Sequence, residues 1–285
     1  MSMICIFPGQ GSQAPGMGAG LFDRFEDWTA EADAILGYSI RTLCVDDPRN
    51  ELGLTAFTQP AMFVVNAMMY RARQEGGAAA PAFVAGHSLG EYNALHAAEV
   101  FDFGTGLRLV TRRGELMSRV RGGGMAAVIG LEPARIEAIL GRTDAGRRLD
   151  IANFNSFDQT VIAGPKADLA AVQLEFEQAG ARAFVMLNVS APFHSRYMTE
   201  TQAEFEAFLQ GFTFSPPVVP VVANVTARPH EPLAIHETLG RQISSSVRWL
   251  DSVRYLLGQP EPQFEEIGPG RVLTKLVAQI AKRPR

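Results

Sequence analysis

Residues Gly86-His87-Ser88-Leu89-Gly90 form a G-x-S-x-G pentapeptide. It follows the apolar run PAFVA at 81–85 and precedes EYNALHAAEV at 91–100, so the expected context is strand, sharp turn, helix. Such an elbow forces its central residue into a strained turn, while small flanking glycines let neighbouring backbone come close; the Ser88 hydroxyl is thereby exposed to a substrate carbonyl. The Leu89 N–H, at the start of the helix, would face a developing oxyanion. The chemistry this predicts is acyl transfer through a serine nucleophile. The competing reading is a tight turn with a solvent-facing serine.

A serine is a weak nucleophile until a base takes its proton. Of the five histidines, His87 adjoins the nucleophile and points elsewhere on the turn, and His96 lies on the helix after the elbow. His230 and His236 sit in a polar, proline-containing connection expected at the surface. His194, in SAPFHS at 190–195, lies where the chain re-enters a larger body from an inserted lobe, so a cleft between the two would hold it. The acids between Ser88 and His194 fall mostly in helices and turns of that lobe, none at the end of a body strand. A backbone or side-chain carbonyl is therefore expected to orient the imidazole, giving a dyad in place of a triad.

Arg113 is the most informative charge. In the helical run 104–120, Val110, Met117 and Val120 recur on one face and Arg113 shares it, whereas Arg108, Arg112 and Arg119 occupy other sides. A guanidinium on an apolar stripe needs a partner. That partner is either an internal carboxylate or the carboxylate of a substrate, which the planar fork binds through two parallel hydrogen bonds.

The elements that must position these residues follow from hydrophobic pattern and turn residues. MICIF reads as a buried strand running into the turn-rich PGQGSQAPGMG, and residues 59–73 as a helix. From Gly124 the order is MAAVIGL (strand), EPARIEAILGR (helix), LDIANFNS and QTVIAG (strands), PKADLAAVQLEFEQAG (helix) and ARAFVMLN (strand), a β-α-β-β-α-β unit of ferredoxin-like type. The larger body then adds a helix from Thr199, a strand at PVVPVVANV, a helix at 247–257 and a last helix with Val272, Leu273, Leu276, Val277 and Ile280 on one face. The expectation is an α/β fold: an α/β-hydrolase-like large subdomain with a parallel sheet, from residues 1–121 and 191–285, plus an inserted ferredoxin-like small subdomain, 122–190.

Composition excludes several classes. The chain has 285 residues, 47% of them apolar, enough for a sizeable core. Its 26 basic and 30 acidic residues offer no field for nucleic acid or an anionic membrane. Cys5 and Cys44 lack the spacing of a disulfide framework or a zinc site, and the N-terminus lacks signal-peptide features, so a reducing cytoplasm is expected.

FPGQGSQ at 7–13, TQPA at 58–61, GHSLGEYNAL at 86–95, RRGELM at 112–117, NSFDQTVIAG at 155–164, APFHS at 191–195 and EIGPG at 266–270 resemble, in order and spacing, the malonyl-CoA:acyl carrier protein transacylases. LGYSIRTLC at 36–44 and FDFGTGLRLV at 101–110 look most like the free-standing acyltransferases serving polyketide synthases that lack their own. The resemblance implies that Ser88 is acylated, His194 is its base, held by backbone carbonyl contact, and Arg113 binds the malonyl carboxylate. It further implies an oxyanion hole of the Gln10 and Leu89 N–H groups, with Gln59 and Asn155 lining the site. Phe193, just before the histidine, accompanies malonyl over methylmalonyl use, in line with its bulk. The partners implied are malonyl-CoA and the phosphopantetheine thiol of an acyl carrier protein, without a metal or redox cofactor, and without nucleic acid or membrane. The alternatives are a fatty-acid-synthesis malonyl transacylase, a carrier-protein thioester hydrolase of the same fold, and an inert docking partner.

Overall fold

The computed structural model describes residues 1–283. Among them are eight strands: β1 (Ser2–Phe7), β2 (Phe83–Gly86), β3 (Gly123–Ile129), β4 (Asp150–Ser156), β5 (Gln159–Pro165), β6 (Ala183–Met186), β7 (Val221–Val222) and β8 (Pro262–Glu266). The larger sheet runs β7-β2-β1-β8, every pair parallel. A parallel sheet must be covered on both faces, and β1 has the sequence for it. Ile4 and Ile6 join Trp249, Val253, Leu273 and Ile280 on one side, under the helices Trp249–Leu257 and Val272–Ala281. Cys5 and Phe7 enter a second core with Phe63 and Leu95, from the helices Thr55–Glu75 and Gly90–Ala97. All four β1 side chains have no exposed surface.

The smaller sheet runs β4-β5-β3-β6, every pair antiparallel, with the helices Pro133–Leu140 and Lys166–Gln178 packed on one face. Alternation on β3 sends Ala126 and Val128 toward those helices, with Ile136 and Phe176, and sends Met125 and Ala127 into the core of the body. The two subdomains thus share packing. They also share backbone hydrogen bonds, from Val247 N–H to the Ala152 carbonyl at 2.8 Å and from Phe154 N–H to the Val247 carbonyl at 2.9 Å.

Two sequence expectations are corrected, and one strand was not anticipated. The run PVVPVVANV forms a strand at two residues only, because its prolines cannot donate to a ladder and confine it to the sheet edge. The opposite edge strand, β8, has the polar sequence PQFEE and no apolar alternation to announce it; Glu265 there pairs with Arg73 at 2.7 Å. Val272 lies at the first turn of the last helix and is 46% exposed, off the apolar face of Leu273, Leu276, Val277 and Ile280.

The chain enters the small sheet beside the point where it leaves. A Cβ at Gly123 would stand 2.4 Å from Cδ of Pro192, two residues before His194. Gly123→Ala is therefore expected to push the His194 loop out of register and to lower the melting temperature by several degrees, in line with the roughly 1–3 kcal/mol of overpacking. Pro192→Ala in the same chain removes the colliding ring atoms and should recover most of the loss. Thermal melts of the single and double variants check this, and an unrescued double variant would place the strain elsewhere.

Candidate active site

Ser88 occupies the turn between β2 and the helix Gly90–Ala97 with φ of 52°, a left-handed conformation that only a tightly supported non-glycine residue adopts. The support is visible on both sides. A Cβ at Gly86 would lie 1.9 Å from the carbonyl of Gly90, and one at Gly90 would lie 2.0 Å from that of Phe7, so both positions exclude any side chain. Asn224, just beyond β7, clamps the turn: its Oδ1 accepts the Ser88 N–H at 2.7 Å and its Nδ2 donates to the Gly86 carbonyl at 2.6 Å. The Gly9–Gln10 turn after β1 comes close to Leu89, since a Cβ on Gly9 would stand 3.5 Å from the Leu89 nitrogen.

His194 also has positive φ, 58°, and is 4% exposed. Its Nε2 lies 2.7 Å from Ser88 Oγ and its Nδ1 2.8 Å from the backbone carbonyl of Gln242. A carbonyl only accepts, so Nδ1 carries the proton and Nε2 is left to accept from the serine hydroxyl. Ser88 and His194 are thus brought into hydrogen-bond contact, and the carbonyl behind the imidazole comes from the end of the helix Ile235–Gln242. Burial, reinforced by the nearby Arg113 charge, pushes the His194 pKa down from 6.5 to about 3.

Arg113, in the helix Phe103–Arg119, is 1% exposed. Its guanidinium donates to Gln59 Oε1 at 2.8 Å, Gln242 Oε1 at 2.9 Å and Ser88 Oγ at 3.2 Å, and lies 5.5 Å from the centre of the Tyr92 ring. Its Nε is buried without a partner. Among the described residues it makes no ion pair, so the internal-carboxylate alternative is not realised. The cavity these groups enclose is about 100 Å³ and is walled by Met117, Met125, Leu187, Val189 and Phe193, with Gln10 and Leu89 at its serine end. A groove of about 620 Å³ between the subdomains reaches His194 from another side, past Phe154, Arg196 and Ser245. Among the described residues no group of His, Cys, Asp or Glu is arranged to hold a metal.

Asn155 stands one layer back from the cavity. Its Oδ1 accepts from Nε2 of His87 at 2.8 Å, while Asn153 reaches the cavity wall with Oδ1 unpartnered. His230 is not at the surface: its ring is buried against Glu91 at 2.7 Å. His236 is part-buried, stacked on Phe214 and bonded to the Phe212 carbonyl. Sequence reasoning missed Asn224, Glu91 and Gln242. The signal for Gln242 was present, because it continues the Ile235–Leu239 stripe as Arg113 continues that of its own helix.

The acyl transferase domain model matches residues 4–283. The polyketide biosynthesis malonyl CoA-acyl carrier protein transacylase BaeC of Bacillus velezensis is 52% identical, over 96% of this chain and 95% of its own. The polyketide biosynthesis protein ThaF of Burkholderia thailandensis is 55% identical over 96% of this chain, which spans 24% of that longer protein. The solved structure of the malonyl-transacylase in PlMCAT:AntF, a complex with its type II PKS acyl-carrier protein, superposes with a TM-score of 0.94 at 39% identity, covering 99% of this chain and 94% of that one. A serine–histidine dyad beside an unpaired buried arginine, on a chain related to these proteins over almost its whole length, thus belongs to the malonyl-CoA:acyl carrier protein transacylase family of acyl transferases.

Proposed function

We propose that this chain transfers malonyl from malonyl-CoA to the phosphopantetheine thiol of an acyl carrier protein, as a trans-acting acyltransferase of polyketide biosynthesis. The observation that carries the reading is Arg113: a buried cation, held by neutral groups only, within hydrogen-bond reach of the serine of a nucleophile elbow. An enzyme that hydrolyses uncharged acyl thioesters has no use for it. The polyketide assignment is supported by the names of BaeC and ThaF, and a cytoplasmic location by two buried free cysteines. The division at 121/122 and 190/191 belongs to the same reading, with one subdomain on either side of the Gly123–Pro192 contact.

The reaction has two halves. Ser88 Oγ attacks the thioester carbonyl while its proton passes to His194 Nε2, and the Gln242 carbonyl steadies the imidazolium that forms. The carbonyl oxygen becomes an oxyanion facing the Gln10 and Leu89 N–H groups. The C–S bond then breaks, and the CoA thiolate takes the proton from His194. In the second half the carrier thiol gives its proton to His194 and attacks the malonyl ester, and Ser88 leaves with that proton. The malonyl carboxylate takes over guanidinium donors of Arg113, one of which otherwise rests on Ser88 Oγ, so substrate binding frees a lone pair of the nucleophile. Gln59 holds the other end of the guanidinium, and Asn155 acts by fixing His87 behind the elbow.

Intact-mass analysis tests this. One malonyl group should add to Ser88 and none to Ser88→Ala. Arg113→Ala should weaken malonyl transfer at least a hundredfold, from a lost pair of charge-assisted hydrogen bonds of about 1.5–3 kcal/mol each, and acetyl transfer far less. Equal losses would make Arg113 structural.

The His194 environment fixes a pH dependence. Free-enzyme kcat/KM should stay flat from pH 8 to 5, where an ordinary histidine would halve it near 6.5. Folding stability behaves oppositely. The unfolded chain binds a proton at His194 below about pH 6.5 and the folded chain does not, so stability should fall by about 2 kcal/mol between pH 7 and 5 from this residue alone. Steady-state rates and denaturant titrations across this range check both statements.

Phe193, 5% exposed at the cavity wall, faces whatever the α-carbon carries. One methyl group is worth about 1–3 kcal/mol in a pocket, so malonyl-CoA should be preferred to methylmalonyl-CoA roughly 10–200-fold, and Phe193→Ser should narrow the ratio. Competition between the two thioesters measures it. Equal use by the wild type would remove Phe193 as the closing wall.

A further inference from the structure

Glu91 is a carboxylate with no exposed surface, in the first turn of the helix that follows the nucleophile. It accepts hydrogen bonds from three elements distant in sequence. His230 Nε2 reaches its Oε1 at 2.7 Å; Gln242 Nε2 and the Asn224 N–H reach its Oε2 at 2.6 and 3.2 Å. His230 Nδ1 has no partner, so the ring proton that is satisfied is the one on Nε2. None of these contacts touches the reacting atoms. All lie one residue away from groups that do.

The side chain of Gln242 is the link. Its amide sits between Arg113 on one side and Glu91 and the Ser88 carbonyl on the other, donating to Glu91 and, at 2.9 Å, to Ser88. An amide has an acceptor end and a donor end of nearly equal shape, and the neighbours decide which way it points. Turned over, its NH2 would face the NH2 of Arg113 and its oxygen would face two oxygens. Arg113 and the Ser88 carbonyl already favour the orientation that offers an oxygen to Arg113, and a carboxylate at position 91 reinforces it with a second, charged acceptor for the amide NH2. It also places a negative charge one amide away from the guanidinium without occupying the guanidinium's own fork.

We propose that Glu91, held by His230, is a positioning residue that fixes the amide of Gln242 and thereby presents Arg113 to the malonyl carboxylate, a role that rests on the malonyl-transfer reading above. Glu91→Gln keeps the volume but removes the charge and leaves one acceptor oxygen for three donors, so the hold on Gln242 weakens toward what Arg113 and the Ser88 carbonyl supply. His230→Leu removes the donor that orients the carboxylate, and His230→Gln retains one.

Single-turnover acylation with malonyl-CoA and acetyl-CoA reads the effect. In Glu91→Gln and His230→Leu the malonyl-to-acetyl ratio of acylation efficiency should fall at least tenfold, mostly through weaker malonyl-CoA binding, because a bound carboxylate is gripped before as well as during the reaction. His230→Gln should recover most of the ratio lost in His230→Leu. A ratio within threefold of wild type in both Glu91→Gln and His230→Leu overturns the proposal, whether the two rates hold or fall together with thermal stability. If Glu91→Gln does not fold, the His230 pair carries the same readout. Wild-type protein that acquires no malonyl mass would overturn the functional reading first, before any variant is compared.

Discussion

A guanidinium has five N–H donors and no acceptor, and taking its charge out of water costs several kcal/mol unless the surroundings compensate. Arg113 is buried in this way, and the architecture around the active site follows from how it is satisfied. A carboxylate in direct contact would do so best and would also occupy the donors. The protein instead surrounds it with two glutamine oxygens, a serine hydroxyl and an aromatic ring. These come from three helices and the elbow, so those elements must meet at one point. Gly114 permits part of this meeting, since a Cβ there would come within 3.0 Å of the Thr55 carbonyl, one turn before Gln59.

The same preference for neutral partners extends to the base. A carboxylate behind His194 would favour an imidazolium more strongly than the Gln242 carbonyl does, but it would also stand near Arg113 and draw on its donors. Gln242 serves both requirements, holding His194 with its main chain and Arg113 with its side chain. Imidazole and guanidinium are thereby fixed by one residue.

Much of this was legible before any coordinates. Ser88, His194 and Arg113 each sit in a local pattern with a physical meaning: a glycine-flanked elbow, a loop between lobes, a charge on an apolar stripe. The antiparallel sheet was legible because its strands alternate or are continuously apolar. What was not legible depends on contacts between distant segments. Nothing local marks Asn224 as the clamp of a turn 136 residues earlier, and His230 reads as a loop residue until Glu91 is seen beside it. β8 escaped because an edge strand needs few apolar side chains, and Asn155, expected to line the site, turns to His87 while Asn153 reaches the cavity wall, on a strand whose pairing with β5 is irregular.

The backbone bonds between Val247 and β4 have a mechanical meaning. They run to Ala152 and Phe154 on either side of Asn153, the β4 residue on the cavity wall, and Val247 begins the approach to the helix Trp249–Leu257. Spreading the subdomains would break main-chain hydrogen bonds and open an apolar core they share. The roughly 100 Å³ cavity is therefore walled by elements tied to one another through the main chain, and widening it for a larger acyl group carries the cost of those bonds.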